Sequence, residues 1–264
     1  MIKAAFFDVD GTLLAKSTDN LIPSSAKAAL AELRRRGVMC IICSGRPQAQ
    51  LPTCVTNGFE GFEGGFDSFI TMTGSHCYDK DGAYYDAPID PAIAQRFLDL
   101  AEAEDLDILG LSLDGIFCNR HTARVAELEE HVASKYPVRS IAAMREVPLY
   151  SFCAFVGPER DAWMQEQMPD CIVTRWCDLF CDVISDTSSK TTGVKAALER
   201  YGIAPEETIA FGDGGNDAPM LEYCGIGVAM GNGTDAAKAA ADYVCPDIAD
   251  DGLAETLRYF GLID

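Results

Sequence analysis

Phe7-Asp8-Val9-Asp10-Gly11-Thr12 closes the apolar run Ile2–Phe7 close to the start of the sequence. A run of this kind reads as a strand buried on both faces. Two carboxylates follow it directly, and Asp-Gly supplies a turn. Side chains two apart on an extended chain project the same way. Asp8 and Asp10 are therefore expected to share one pocket at the C-terminal tip of the strand. In open α/β sheets that edge is where ligands bind. Neighbouring carboxylates repel, and a shared proton or a cation relieves them, which points to a hard metal ion.

The pattern around this strand extends the reading. Pro23-Ser24-Ser25 opens a helix with Ala26, Ala29, Leu30 and Leu33 on one face, and Gly37 ends it. Val38–Cys43 is a second buried strand, and Pro47 is expected to start another helix. The C-terminal part repeats the grammar: helix 191–201, strand 208–211, helix 217–223, strand 225–230, helix 234–241, strand 243–245 and helix 253–260. Strands alternating with helices at this spacing predict an α/β fold with a doubly wound parallel sheet. The stretch 80–185 differs. Strand candidates Ile108–Leu113 and Tyr150–Val156 lie among acidic helices, 91–104 and 122–136, between turn-like segments at 79–82 and 185–189. It reads as an inserted α+β domain, with 1–79 and 186–264 forming the core.

Three further segments fall at predicted strand tips or helix starts. Phe211-Gly212-Asp213-Gly214-Gly215-Asn216-Asp217 bends sharply through its glycines, with Asn216 suited to a helix N-cap and Asp213 and Asp217 bracketing the loop. It lacks the ligand spacing and distal Glu of an EF-hand. A magnesium ion would take such carboxylates together with a carbonyl and waters. Cys43-Ser44-Gly45-Arg46-Pro47 offers a hydroxyl and amides before a helix start, a place for a phosphate oxygen. Lys190 lies in Ser188-Ser189-Lys190-Thr191-Thr192-Gly193, ahead of another helix.

Composition sets the outer limits. The 264 residues carry 41 acids and 21 bases, a formal charge of −20. That surplus argues against nucleic acid or an anionic membrane as partner, and a small anionic substrate would need local cations. No apolar run approaches the ~18 residues of a spanning helix. Asp8 interrupts any leader-like apolar stretch, so no secretory signal is expected. Eleven scattered cysteines read as reduced thiols of a cytosolic protein. Cys40 and Cys43, three apart on a strand, should face opposite sides, and Cys171, Cys177 and Cys181 lack a supporting histidine for a metal. No Walker loop and no cysteine phosphate loop is present, and His76, His121 and His131 fall outside the strand-tip segments.

In this order, Asp8-Val9-Asp10-Gly11-Thr12, Ser44-Gly45-Arg46, Lys190 and Gly212–Asp217 resemble the four motifs of the haloacid dehalogenase-like phosphatases. Gly227–Asn232 and Asp250-Asp251-Gly252 resemble the tail of the Cof-type group, and the insertion resembles its class IIB cap by position and size. Thr73-Gly74 departs from the group, which usually carries Asn-Gly there. The resemblance implies a Rossmann-like core and magnesium-dependent hydrolysis of a small phosphorylated metabolite, a sugar phosphate or similar. It implies Asp8 as nucleophile and Asp10 as acid and base. It assigns the metal to Asp8, Asp10 (by its carbonyl), Asp213 and Asp217. Phosphate contacts fall to Val9, Thr12, Ser44, Gly45, Lys190 and Asn216, and Arg46 is assigned to the substrate. Arg145, Arg175 and Asn119 are candidate cap contacts. A sugar phosphomutase and a regulator that binds phosphometabolites without turnover remain alternatives, and the oligomeric state is open.

Overall fold

The computed structural model describes residues 1–132 and 134–264. In chain order the elements are β1 (Ala4–Phe7), α1 (Ser24–Arg35), β2 (Met39–Cys43), α2 (Thr53–Thr56), β3 (Ser68–Thr71), β4 (His76–Asp79) and β5 (Gly82–Asp86). Then come α3 (Pro91–Ala103), β6 (Ile108–Ser112), β7 (Gly115–Cys118), α4 (Ala123–Val132), α5 (Ile141–Met144), β8 (Ser151–Ala154), α6 (Asp161–Gln167), β9 (Cys171–Cys177) and β10 (Phe180–Ser185). The chain ends with α7 (Lys190–Tyr201), β11 (Thr208–Gly212), α8 (Ala218–Tyr223), β12 (Ile226–Ala229), α9 (Asp235–Ala240), β13 (Tyr243–Val244) and α10 (Gly252–Tyr259).

The described residues divide into two compact units. One comprises 1–46, 51–86 and 189–264; the other comprises 47–50 and 87–188. The first is built on an eight-stranded sheet of order β13-β12-β11-β1-β2-β3-β4-β5. The pairs from β13 across to β3 are parallel, and the β4–β5 hairpin is antiparallel. Alternation along β1 shows why the run is apolar throughout. Ala5 and Phe7 enter the layer with α1 and α10, while Ala4 and Phe6 enter the layer with α7, α8 and α9. Cys40 and Cys43 separate into the same two layers, as their spacing predicts. The chain winds outward from β1 through β2 and β3, then returns to the other side of β1 with β11. The order reverses at β1, the kind of point where doubly wound sheets hold ligands.

Several details differ from the sequence reading. The expected helix at Pro47 is absent; a 3-10 turn at Gln48–Gln50 and the single turn α2 stand there. Pro52 restricts Leu51 and cuts any helix begun at Pro47 to a few residues. The turn at 79–82 joins β4 to β5, so residues 82–86 belong to the first sheet. Of the expected helix 122–136, Ala123–Val132 is observed and Ala133 lies outside the described residues.

The second unit holds an antiparallel sheet of order β7-β6-β8-β10-β9. Its apolar layer joins Phe97 and Leu98 of α3 and Met164 of α6 to Phe152, Ala154 and Val183 of the strands. Phe97 and Phe152 stack with centroids 4.1 Å apart. No helix among the described residues is long and apolar enough to cross a membrane.

Candidate active site

Register brings the acids together. Phe7 of β1 lies level with Phe211 of β11, their rings stacked at 5.3 Å, and the Asp8 amide donates to the Phe211 carbonyl at 3.0 Å. The two chains therefore leave the sheet side by side, one carrying Asp8 and the other Asp213. Gly11 permits the approach. Its φ is +87°, and a Cβ there would stand 2.1 Å from Asp213 Oδ2. The loop is held from outside by Asn232, whose Nδ2 donates to the Gly11 carbonyl at 2.7 Å while its Oδ1 accepts the Ile248 amide at 3.2 Å. Sequence reasoning left Asn232 out of the site. Its place in the Gly231-Asn232 tail segment was the available signal.

Asp8, Asp213 and Asp217 each offer a carboxylate oxygen, all within 4.8 Å of one another. Lys190, at the first position of α7, reaches into this group with its side chain fully buried. Its Nζ donates to Asp8 and, at 2.6 Å, to Asp217 Oδ1. Burial pushes a lysine towards neutrality, but the carboxylates of Asp217 and Asp8 outweigh it and hold the ammonium above its usual range. Burial raises Asp8, and Asp217 and Asp213 add to the rise against the pull of Lys190. Asp213 is pushed up to about 6, by burial first and by Asp217 next. Three carboxylates against one ammonium leave negative charge in excess. That donor set suits a hard divalent cation such as magnesium.

The other expected residues lie at stated places. Asp217 is buried, and its Oδ2 accepts the amides of Asp213 and Gly214 at 3.0 and 2.9 Å. The N-cap position of α8 belongs to Asp217, not to Asn216 as expected, and Asn216 is exposed. Thr12 is buried, and its hydroxyl donates to Asp213 Oδ1 at 3.2 Å. Val9 packs its side chain in the core. Ser44 is buried with its Oγ accepting the Arg46 amide at 3.2 Å. No α-helix follows Gly45 directly, so the expected helix-start amides are loop amides.

Asp10 is exposed and lies outside the group formed by Asp8, Asp213 and Asp217. The strand ends at Phe7, and the two carboxylates beyond it have different partners. Asp8 turns inward to Lys190, whereas Asp10 forms a two-pronged pair with Arg46, Nε to Oδ2 and Nη2 to Oδ1, both 2.7 Å. Within the inserted unit, Arg145 bridges Asp99 and Glu102, Arg175 grips Asp161, and Asn119 bonds the Ile108 amide and the Leu106 carbonyl. All eleven cysteines are free thiols, and burial raises those in the two cores, Cys77 to about 12 and Cys224 to about 11.

Residues 5–257 match the haloacid dehalogenase-like hydrolase family, and the chain belongs to it. YkrA of Bacillus subtilis (strain 168) is 30% identical over 99% of this chain and 98% of its own length. The 5-amino-6-(5-phospho-D-ribitylamino)uracil phosphatase YitU of the same organism is 27% identical over 97% of this chain and 96% of its own. Among solved structures, the subclass IIB sugar phosphatase BT4131 superposes with a TM-score of 0.87 at 29% identity, covering 99% of this chain and 100% of that one. The protein is a hydrolase of the phosphatase branch of this family.

Proposed function

We propose that the protein hydrolyses a small phosphomonoester, a phosphorylated sugar or polyol, with magnesium, through a phosphoenzyme on Asp8. The observation that carries the reading is the buried Asp8 carboxylate at the tip of the central strand, beside Lys190 and with an oxygen within 4.8 Å of one from each of Asp213 and Asp217. A likeness to a sugar phosphatase and to a phosphatase of a phosphoribityl compound supports the substrate class. Each carries its phosphate on a hydroxylated carbon chain.

An Asp8 oxygen attacks phosphorus, the O–P bond forms, and the bond to the alcohol breaks. Asp10 leaves Arg46, takes up a proton and gives it to the departing alkoxide. It then removes a proton from the water that attacks the aspartyl-phosphate, releasing Asp8 and inorganic phosphate. Lys190 and the Ser44 hydroxyl, with the Gly45 and Val9 amides and Asn216, bind the phosphoryl oxygens as their charge redistributes. Asp8 and Asp213 would hold magnesium directly, with the Asp10 carbonyl, since the Asp217 oxygens already accept three donors. When bound, the ion supplies positive charge that screens the substrate dianion from the carboxylates.

The test is a panel of phosphorylated metabolites assayed with and without magnesium on wild type and Asp8→Asn. Magnesium-dependent phosphate release that falls at least ~1000-fold in the variant is expected. Near-native turnover by Asp8→Asn on any ester would falsify the nucleophile, and an isomer formed without inorganic phosphate would replace hydrolysis by a mutase reaction.

A further inference from the structure

Three consecutive residues between β3 and β4 have left-handed backbones: Met72 at φ +51°, Thr73 at +52° and Gly74 at +92°. For glycine that costs nothing, but a β-branched residue at positive φ is a true outlier. The turn is fixed on both sides. The Met72 amide donates to the Arg46 carbonyl at 3.1 Å and the Thr73 amide to the Ser44 carbonyl at 3.2 Å. Gly74 presses on the start of α7, where a Cβ would stand 1.8 Å from the Ser189 carbonyl oxygen. The turn therefore wedges between the Ser44–Arg46 loop and the helix that carries Lys190.

Thr73 directs its hydroxyl at the Ser44–Arg46 loop: Oγ1 is 3.5 Å from where a Gly45 Cβ would stand. That hydroxyl makes no hydrogen bond to a described residue. Thr73 is half-buried, whereas Ser44, Lys190 and Asp8 are buried. A phosphoryl group bound at Asp8 would occupy the buried positions, and the part of the ester left for the more exposed Thr73, beside the Ser44–Arg46 loop, is its alcohol side. Backbone strain of this kind persists only where the surroundings impose it, and it collects at functional sites.

We infer that the Thr73 hydroxyl hydrogen-bonds an oxygen on the alcohol portion of the substrate, next to the esterified carbon, and thereby selects hydroxylated over aryl esters. The inference rests on the phosphatase reading above. Thr73→Val keeps the branched shape and the strain but removes the hydroxyl, and Thr73→Ser keeps the hydroxyl. With magnesium present, Thr73→Val raises KM for a hexose phosphate by about fivefold to tenfold, the worth of one hydrogen bond, with kcat held within about twofold. KM for phenyl phosphate and inhibition by inorganic phosphate stay unchanged, and Thr73→Ser restores the hexose phosphate KM. Thr73→Asn, which relieves the strain, raises Tm by about 2–4 °C.

An unchanged hexose phosphate KM in Thr73→Val, or an equal rise for phenyl phosphate, overturns the contact. A lower Tm for Thr73→Asn overturns the strain. If wild type releases phosphate from neither ester, the phosphatase reading fails instead. Calorimetric binding of the hexose phosphate to wild type and Thr73→Val then decides the contact, equal affinities overturning it.

Discussion

Asp8 in the first unit and Glu129 in the second are both buried carboxylates, and their surroundings are opposite. Glu129 is 3% exposed and met on every side by donors: Lys135 Nζ at 2.7 Å, the Tyr136 amide at 2.8 Å and His121 Nε2 at 3.1 Å. The hydrogen bond from Lys135 leads the causes that hold it down at about 2. Asp8 shares a single ammonium with Asp217 while a third acid, Asp213, stands beside it, and its proton affinity goes up. Where donors outnumber the charge, the acid ties α4 to the segment after it. Where carboxylates outnumber the donors, the site is left wanting positive charge, which a metal ion or a catalytic proton provides.

The comparison breaks most visibly at Lys190. Lys190→Met leaves Asp8 and Asp217 buried without their cation, and loss of one partner from a buried pair costs about 3–5 kcal/mol. Denaturant unfolding should show that loss, with phosphate release reduced at least ~100-fold. An unchanged midpoint would mean that the ammonium does not neutralise the cluster. Next in size is the metal. Magnesium should raise the Tm of wild type, and Asp213→Asn should weaken magnesium binding by about 10–100-fold in calorimetry. Equal affinities would remove Asp213 from the metal site.

Glu129→Gln tests the other side: Tm falls while kcat/KM stays within about twofold, as suits a structural acid. A large loss of turnover would erase the contrast between the units. The smallest effect is its dependence on pH. Its three donors hold the Glu129 carboxyl down at about 2 when folded, against an ordinary ~4.3 when unfolded, so its contribution is complete above ~4.3. It disappears as pH falls through about 2. The Tm gap between wild type and Glu129→Gln should therefore narrow steadily from pH 5 downward, and a gap that widened would reverse the sign of the argument.

Much of the first unit was readable from the chain because its signals are local. Ala4–Phe7 and Val38–Cys43 are apolar on both faces, and Gly37 stands as the stop after α1. The acidic triad was readable from strand-tip placement. What escaped was set by tertiary packing. The pairing of Asp10 with Arg46 depends on where the chain turns after Phe7, which alternation along a strand does not describe. Thr12 reaching Asp213 across the sheet has no local signature. Nothing about a threonine announces a left-handed backbone, so the turn at Met72–Gly74 was visible only as a departure from the family's Asn-Gly. The β4–β5 hairpin was passed over because its strands are short and polar at the sheet's edge.

The position of β1 between β2 and β11 also governs how the molecule comes into being. On the ribosome β1 and β2 emerge early, but one long edge of β1 stays open until β11, some two hundred residues later, has been made. Throughout that interval a buried strand has an unpaired side and is open to other chains. The same delay keeps Asp8 from meeting Lys190, Asp213 and Asp217 in any shorter fragment. Catalytic competence therefore arrives late in synthesis and all at once, and a prematurely ended chain would be both inert and adhesive.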